Sequence, residues 1–256
     1  MHTKLQQHGS TGEARHIGGQ PALDVEFSIA FQPIVDICAR RVVSFEALVR
    51  GARGEPAEQV FAKVGPERLH QFDQACRLKA IEMAARLDLH ASLNLNFLPG
   101  ALTRSAEYLQ ATFQACWDAG FPVERLVFEL AEPVQRQGKW SVHGMFEPYN
   151  FYGFKTAIDD FGNGFTGLRR LAEYRPDYIK LDRRLISGIQ DRIAKQLVVA
   201  GIRDVCRQLG IQLVAEGVET VHEYRWLRAA GIRLLQGYYF AQPAFEALAE
   251  VSPAAF

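Results

Sequence analysis

From Phe27 onward the chain repeats one pattern: a short apolar run, a polar cluster, then a stretch with apolar residues at helical spacing. The runs are FSIAFQPIV (27–35), VVSFEALVR (42–50), SLNLN (92–96), RLVFELAE (125–132), KTAIDDFG (155–162), DYIKLD (177–182), QLVAEGVE (212–219) and RLLQGYYF (233–240). Each has strand length and is rich in Val, Ile, Leu or Phe. Between them, Phe72 to Leu87, Ala106 to Trp117 and Ile193 to Leu209 carry helical periodicity. Gly120, Gly153, Gly210 and Gly231 stand where helices would end and strands begin, the usual place of a C-terminal glycine cap.

Such alternation predicts a mostly parallel sheet covered by helices. Eight runs is the number that closes a barrel. One junction departs from the pattern: only six residues, DICARR, separate the first run from the second. A parallel crossover needs about a dozen, so this pair is expected to be a hairpin. The expected fold class is therefore α/β, a TIM-like (β/α)8 barrel with one antiparallel strand, occupying 23–256. The polar, glycine-containing start, residues 1–22, is expected to be a disordered lead-in.

Composition narrows the partners. The formal net charge is zero, from 29 basic and 29 acidic residues, which disfavours a grip on polymeric nucleic acid but leaves room for a small anionic ligand. Cys38, Cys76, Cys116 and Cys206 are widely spaced with no C-x-x-C pair, so neither a thiolate zinc site nor a disulfide framework is indicated and a reduced, cytoplasmic setting is expected. No apolar run approaches the ~20 residues that span a bilayer, and the N-terminus lacks a signal-peptide core.

The chemistry sits at the C-terminal ends of the runs: Glu46, Asn94, Glu129 with Glu132, Asp159 with Asp160, Lys180 with Asp182, Glu216 with Glu219, and Gln236. In a barrel these ends converge on the face that carries the active site. Crowded carboxylates repel and are costly to bury, a cost that divalent cations relieve. The set is all oxygen and favours Mg²⁺ or Mn²⁺ over zinc; the seven histidines form no H-E-x-x-H pair. An adjacent pair such as Asp159–Asp160 could let one carboxylate bridge two ions, an arrangement suited to in-line displacement at phosphorus.

Plainer readings exist for single residues. Glu46 alone could pair with an arginine, Asp182 beside Arg183 and Arg184 reads equally as a helix cap or surface ion pair, and Glu219 as a first-turn helix residue. Lys180 could be a snorkelling edge residue. Recurrence at successive strand ends is what favours a site.

The motifs, in order, resemble the EAL family of cyclic di-GMP phosphodiesterases from Phe31 to Pro243. Glu46-Ala47-Leu48 lies within FEALVRG, Gln32-Pro33 upstream, Asn94 in SLNLN, then ELAE (129–132), AIDDFGNGF (157–165), IKLD (179–182), AEGVE (215–219) and QGYYFAQP (236–243). The resemblance implies a barrel whose first strand is antiparallel, and hydrolysis of cyclic di-GMP to linear pGpG. It implies that Glu46, Asn94, Glu129 and Asp159 hold one metal ion, and Asp159, Asp160 and Glu216 a second. Lys180 would position the attacking water, with Glu216 assisting as a base, while Gln32, Arg50 and Gln236 would face the substrate or a water. Glu132 and Glu219 would anchor the loop after Asp160, which in this family couples the site to a homodimer interface. Ala131, Asn96, the loop FGNGFTGL and a shortened segment after FEALVRG depart from the family pattern; none removes an expected ligand. The rival expectation is a cyclic di-GMP receptor or protein-docking module without useful turnover. A third is a metal-dependent hydrolase of another phosphodiester.

Overall fold

The computed structural model describes residues 25–98, 105–131, 149, 151–163 and 171–256. The expected lead-in and Glu132 lie outside the described residues. In chain order the main elements are β1 (Phe27–Asp36), β2 (Arg41–Gly51), α1 (Ala57–Phe61), α2 (Leu69–Arg86), β3 (Ser92–Asn96), α3 (Ser105–Ala119), β4 (Leu126–Ala131) and β5 (Lys155–Phe161). They continue with β6 (Tyr178–Leu181), α4 (Arg183–Ile186), α5 (Ile193–Leu209), β7 (Gln212–Ala215), α6 (Val221–Ala229), β8 (Leu234–Leu235) and β9 (Ala244–Phe245).

The short first connection does form a hairpin: β1 and β2 pair antiparallel from Phe27↔Gly51 to Asp36↔Arg41. From β2 to β8 every neighbouring pair is parallel. β1 closes the barrel by pairing antiparallel with β8 through Val35↔Leu235 and Asp36↔Leu234. Higher on the same edge of β1, the additional short strand β9 pairs at Ala30↔Phe245. Outside the barrel wall, the helices bury a continuous core that includes Ile29, Phe31, Leu93, Leu95, Phe128, Leu130, Ile179 and Leu181. Burying each such side chain contributes about 1.5–3 kcal/mol. Among the described residues no helix is long and apolar enough to cross a membrane.

Inside the wall, Ile34, Val214 and Leu234 form a small apolar cluster with Val43 and Tyr178 packed on it. Side chains two residues apart share a face of a strand. The residues two places from this cluster toward the barrel mouth are therefore its upstairs neighbours: Gln32, Lys180, Glu216 and Gln236. An apolar floor thus lies beneath a polar ring.

The helix ends follow local chemistry. Gly210 takes φ +68 and closes α5. Thr220 caps α6, accepting from the Glu223 backbone N–H, while Glu223 reaches back to the Thr220 backbone N–H. This is the reciprocal arrangement that T-x-x-E encodes. It corrects the placement of Glu219 in the first helical turn: Glu219 precedes the cap.

The run RLLQGYYF contributes only two strand residues. Past Gln236 the chain turns against Val218, with Val218 N–H donating to the Gln236 carbonyl at 3.0 Å and Tyr239 N–H to the Val218 carbonyl at 3.0 Å. A Cβ on Gly237 would lie 2.1 Å from the Val218 carbonyl oxygen and 2.3 Å from its nitrogen. The Val218 backbone cannot yield cheaply, so Gly237→Ala is expected to destabilise by about 1–3 kcal/mol. Thermal unfolding should register this as a drop in Tm of roughly 2–10 °C; an unchanged Tm would mean that this turn does not approach Val218 as described.

Candidate metal centre

The polar ring gathers side chains from β1 to β6 and from the residues just past the ends of β7 and β8. Lys180 of β6 stands at its centre, 1% exposed. Its Nζ lies 2.6 Å from Glu216 Oε1, 2.7 Å from Glu129 Oε2, 3.1 Å from Glu46 Oε2 and 3.3 Å from Asp159 Oδ1. That overturns the reading of Lys180 as a snorkelling edge residue. A cation amid four carboxylates inside a barrel is an electrostatic hub.

Its proton is held far above the ordinary lysine range: burial would drive it off, but Asp159, Glu129, Glu216 and Glu46 together outweigh burial. The carboxylates diverge. Burial, with Glu46 and Asp159 alongside, pushes Glu129 up to about 8 despite Lys180. Burial likewise raises Glu216 well above the usual carboxylate range. Glu46 is opposed by burial too, yet the Lys180 charge and hydrogen bonds from Asn96, Gln236 and Lys180 hold it below that range.

β5 supplies two adjacent carboxylates. Successive strand residues normally face opposite sides, so both could not serve one site on a regular strand. The β5–β6 register shifts between Ile158 and Phe161, and Asp160 adopts φ +54. This irregularity lets Asp160 join Asp159 on the side of the ring. Burial, reinforced by Asp159 and Asp182, raises Asp160 to about 6.

Two oxygen-donor groups result: Glu46, Glu129 and Asp159, and then Asp159, Asp160 and Glu216, the donor atoms of each lying within 4.8 Å of one another. Asp159 belongs to both. Four carboxylates around one ammonium leave negative charge unbalanced, and the donors are hard oxygens. The residues therefore fit a divalent cation bound through oxygen. Asn94 borders the first group: its amide Nδ2 donates to Glu129 Oε1 at 2.5 Å, and its Oδ1 accepts from the Ser44 hydroxyl.

At the mouth, a cleft of about 270 Å³ is lined by Gln32, Glu46, Asp159, Asp160, Glu216 and Gln236, with Asp182, Arg183, Glu219 and Tyr238 on its rim. Gln236 Nε2 donates to Glu46 Oε2 at 2.7 Å and to Gln32 Oε1 at 3.2 Å. Arg50 is not among the residues lining this cleft; its Nη1 donates to the Val49 carbonyl at 2.8 Å. Glu219 pairs with Arg183 at 2.8 Å. Asp182 caps α4 by accepting from Arg184 N–H at 2.7 Å and also pairs with the Arg184 guanidinium. The helix-cap reading of Asp182 is correct, but it is incomplete, because Asp182 also faces Asp160. Sequence reasoning gave no role to Ser44 or Asn96. Their signal was available: both sit at i±2 from a ring residue on the same strand.

The EAL domain family matches residues 20–243. A standalone versatile EAL protein from Vibrio cholerae O395, in its c-di-GMP bound form, is 39% identical with a TM-score of 0.86, over 91% of this chain and 99% of that one. The Klebsiella pneumoniae BlrP1 manganese/cy-diGMP complex is 34% identical with a TM-score of 0.84, over 93% of this chain and 59% of that one. Among curated relatives in Escherichia coli (strain K12), the blue light- and temperature-regulated antirepressor BluF is 29% identical over 91% of this chain and 58% of its own length. The probable cyclic di-GMP phosphodiesterase PdeN is 29% identical over 85% of this chain and 43% of its own. The chain thus spans about half the length of these curated relatives. With a family match across most of its length and the acidic ring in place, the chain belongs to the EAL domain family.

Proposed function

We propose that this chain is a metal-dependent phosphodiesterase that hydrolyses cyclic di-GMP to linear pGpG. The observation that carries the reading is Lys180 among four carboxylates that, together with Asp160, form two cation-sized groups sharing Asp159. Glu46, Asn94, Glu129 and Asp159 would hold one Mg²⁺ or Mn²⁺, and Asp159, Asp160 and Glu216 the other. When bound, the ions neutralise phosphate charge and lower the pKa of water. Lys180 orients the attacking water through its ammonium. Glu216, on the cleft wall, assists by accepting the water's proton as a base. The water oxygen bonds to phosphorus, the opposite ester P–O bond breaks, and the departing ribose oxygen takes a proton from solvent. Gln32 and Gln236 line the cleft and contact the substrate, joined by Arg50 from the end of β2. The cleft is below the ~300–1,000 Å³ of a typical ligand cavity, which suits one phosphodiester linkage with the rest of the nucleotide outside. Glu219, tied to Arg183, anchors the loop after Asp160; the same role expected of Glu132 falls outside the described residues. The same reading includes a cytoplasmic homodimer, for which exposed Ile193, Leu197 and Val198 on α5 supply apolar surface.

The test is to incubate the purified chain with cyclic di-GMP and Mg²⁺ or Mn²⁺, with a chelator control, and to separate the nucleotides by chromatography. pGpG should appear only with the ion, and Glu46→Ala should slow its appearance by about 10²–10³-fold while the fold persists. Near-wild-type turnover by Glu46→Ala would overturn the assignment. Faster turnover of another cyclic dinucleotide would reassign the substrate. The kinship to BluF, named for antirepression and not for hydrolysis, favours a second reading, a cyclic di-GMP receptor that docks a partner. Tight binding of intact nucleotide without turnover would select it.

A further inference from the structure

β3 lies between β2 and β4, and its two asparagines reach opposite ways. In register, Asn94 stands beside Glu46 and Asn96 beside Glu129. The hydrogen bonds run diagonally instead: Asn94 Nδ2 donates to Glu129 Oε1 at 2.5 Å, and Asn96 Nδ2 to Glu46 Oε1 at 2.9 Å. Each glutamate is thus held on its Oε1 by an asparagine and on its Oε2 by Lys180. Glu46 Oε2 also accepts from Gln236 at 2.7 Å.

A carboxylate has about four lone-pair sites, two on each oxygen. Lys180 and Gln236 take both on Glu46 Oε2. Asn96 takes one on Oε1, leaving the other for a cation. The last torsion of a glutamate side chain is broad, so without a donor on Oε1 the carboxylate plane could swing about its Oε2 anchors. Asn96 is exposed at the barrel mouth and carries none of the core, so its amide is placed for this contact rather than for packing.

We propose that Asn96 is a positioning residue of the cation site: it fixes the Glu46 carboxylate so that one lone pair of Oε1 faces a divalent ion. The inference rests on the divalent-ion reading above and adds a residue to it. Partners that orient metal-binding carboxylates typically govern 10–100-fold in metal affinity.

The experiment is a nucleotide-free Mn²⁺ titration of the whole chain, reading free Mn²⁺ by electron paramagnetic resonance, with Asn96→Ala and Asn96→Ser compared to wild type. Serine keeps a polar group too short to span the gap. Both variants should weaken one of two binding steps by about tenfold or more, with the chelator Tm unchanged. Equal Mn²⁺ affinity in variants and wild type would overturn the role of Asn96 and leave the ion reading intact. Unchanged Mn²⁺ affinity with a raised KM for cyclic di-GMP would make Asn96 a nucleotide contact, also overturning it. A fall in chelator Tm in both variants would reduce it to a structural residue. Absence of Mn²⁺ binding by the wild type would overturn the inference and the ion reading together.

Discussion

Asp159→Asn is expected to lower turnover of cyclic di-GMP by at least about 10³-fold while leaving the metal-free protein as stable as before, or more so. The amide is nearly isosteric, so what changes is charge. Asp159 is the one carboxylate common to both donor groups, so its neutralisation weakens both cation sites at once. Charge stabilisation by such ions is worth several kcal/mol, and each ~1.4 kcal/mol is tenfold in rate. In chelator the sign reverses: Asp159 is among the charges that raise Glu129 and Glu216, and removing it relieves repulsion. Product chromatography with excess Mn²⁺ reads the first effect, and thermal unfolding in chelator the second. Turnover within tenfold of wild type would mean that Asp159 does not bridge the two groups.

Lys180→Met should do the opposite to stability. Methionine fills similar volume but leaves Glu46, Glu129, Asp159 and Glu216 without their shared ammonium. Breaking a buried pair by removing one partner costs about 3–5 kcal/mol, which for a domain of this size is roughly 6–20 °C in Tm. The loss should depend on pH. Folded Glu129 titrates near 8, above the ~4.3 of an unperturbed glutamate. Between those values the native state therefore binds more protons than the unfolded chain, so metal-free stability falls as pH rises through that window. Without Lys180 the decline should steepen, and Mn²⁺ should recover part of it by supplying positive charge. Lys180 itself stabilises fully below the ordinary lysine range, and that contribution is lost only above its raised folded value. Tm measured from pH 5 to 8, with and without Mn²⁺, decides the matter. A variant as stable as wild type at pH 8 in chelator would show that the ammonium does not hold the ring.

Much of this was legible in one sequence, for identifiable reasons. Six residues are too few for a crossover, which made β1–β2 a hairpin. Periodicity and Gly210 bounded α5, and acids inside otherwise apolar runs marked the ring. What stayed hidden needed three dimensions. The run RLLQGYYF looks like a full strand, but the turn at Gly237 follows from Val218, nineteen residues away. Lys180 read equally well as an edge residue because its four partners come from β2, β4, β5 and the end of β7, and only barrel closure brings them to one point. The shared side of Asp159 and Asp160 depends on a register shift that period-two reasoning excludes. Asn96 looked like a mere departure from a serine because its partner, Glu46, lies fifty residues earlier.

The β1–β8 seam has a bearing on how the chain is made. β1 leaves the ribosome first, yet its far edge waits about 200 residues for Leu234 and Leu235. At ~5–20 residues per second that is roughly 10–40 s with one edge of the nascent hairpin unpaired. Gln236, which supplies the second donor on Glu46 Oε2, arrives on the same late strand. The last hydrogen-bond donor on Glu46 therefore arrives only as the wall shuts, coupling completion of the ring's hydrogen bonds to closure of the barrel.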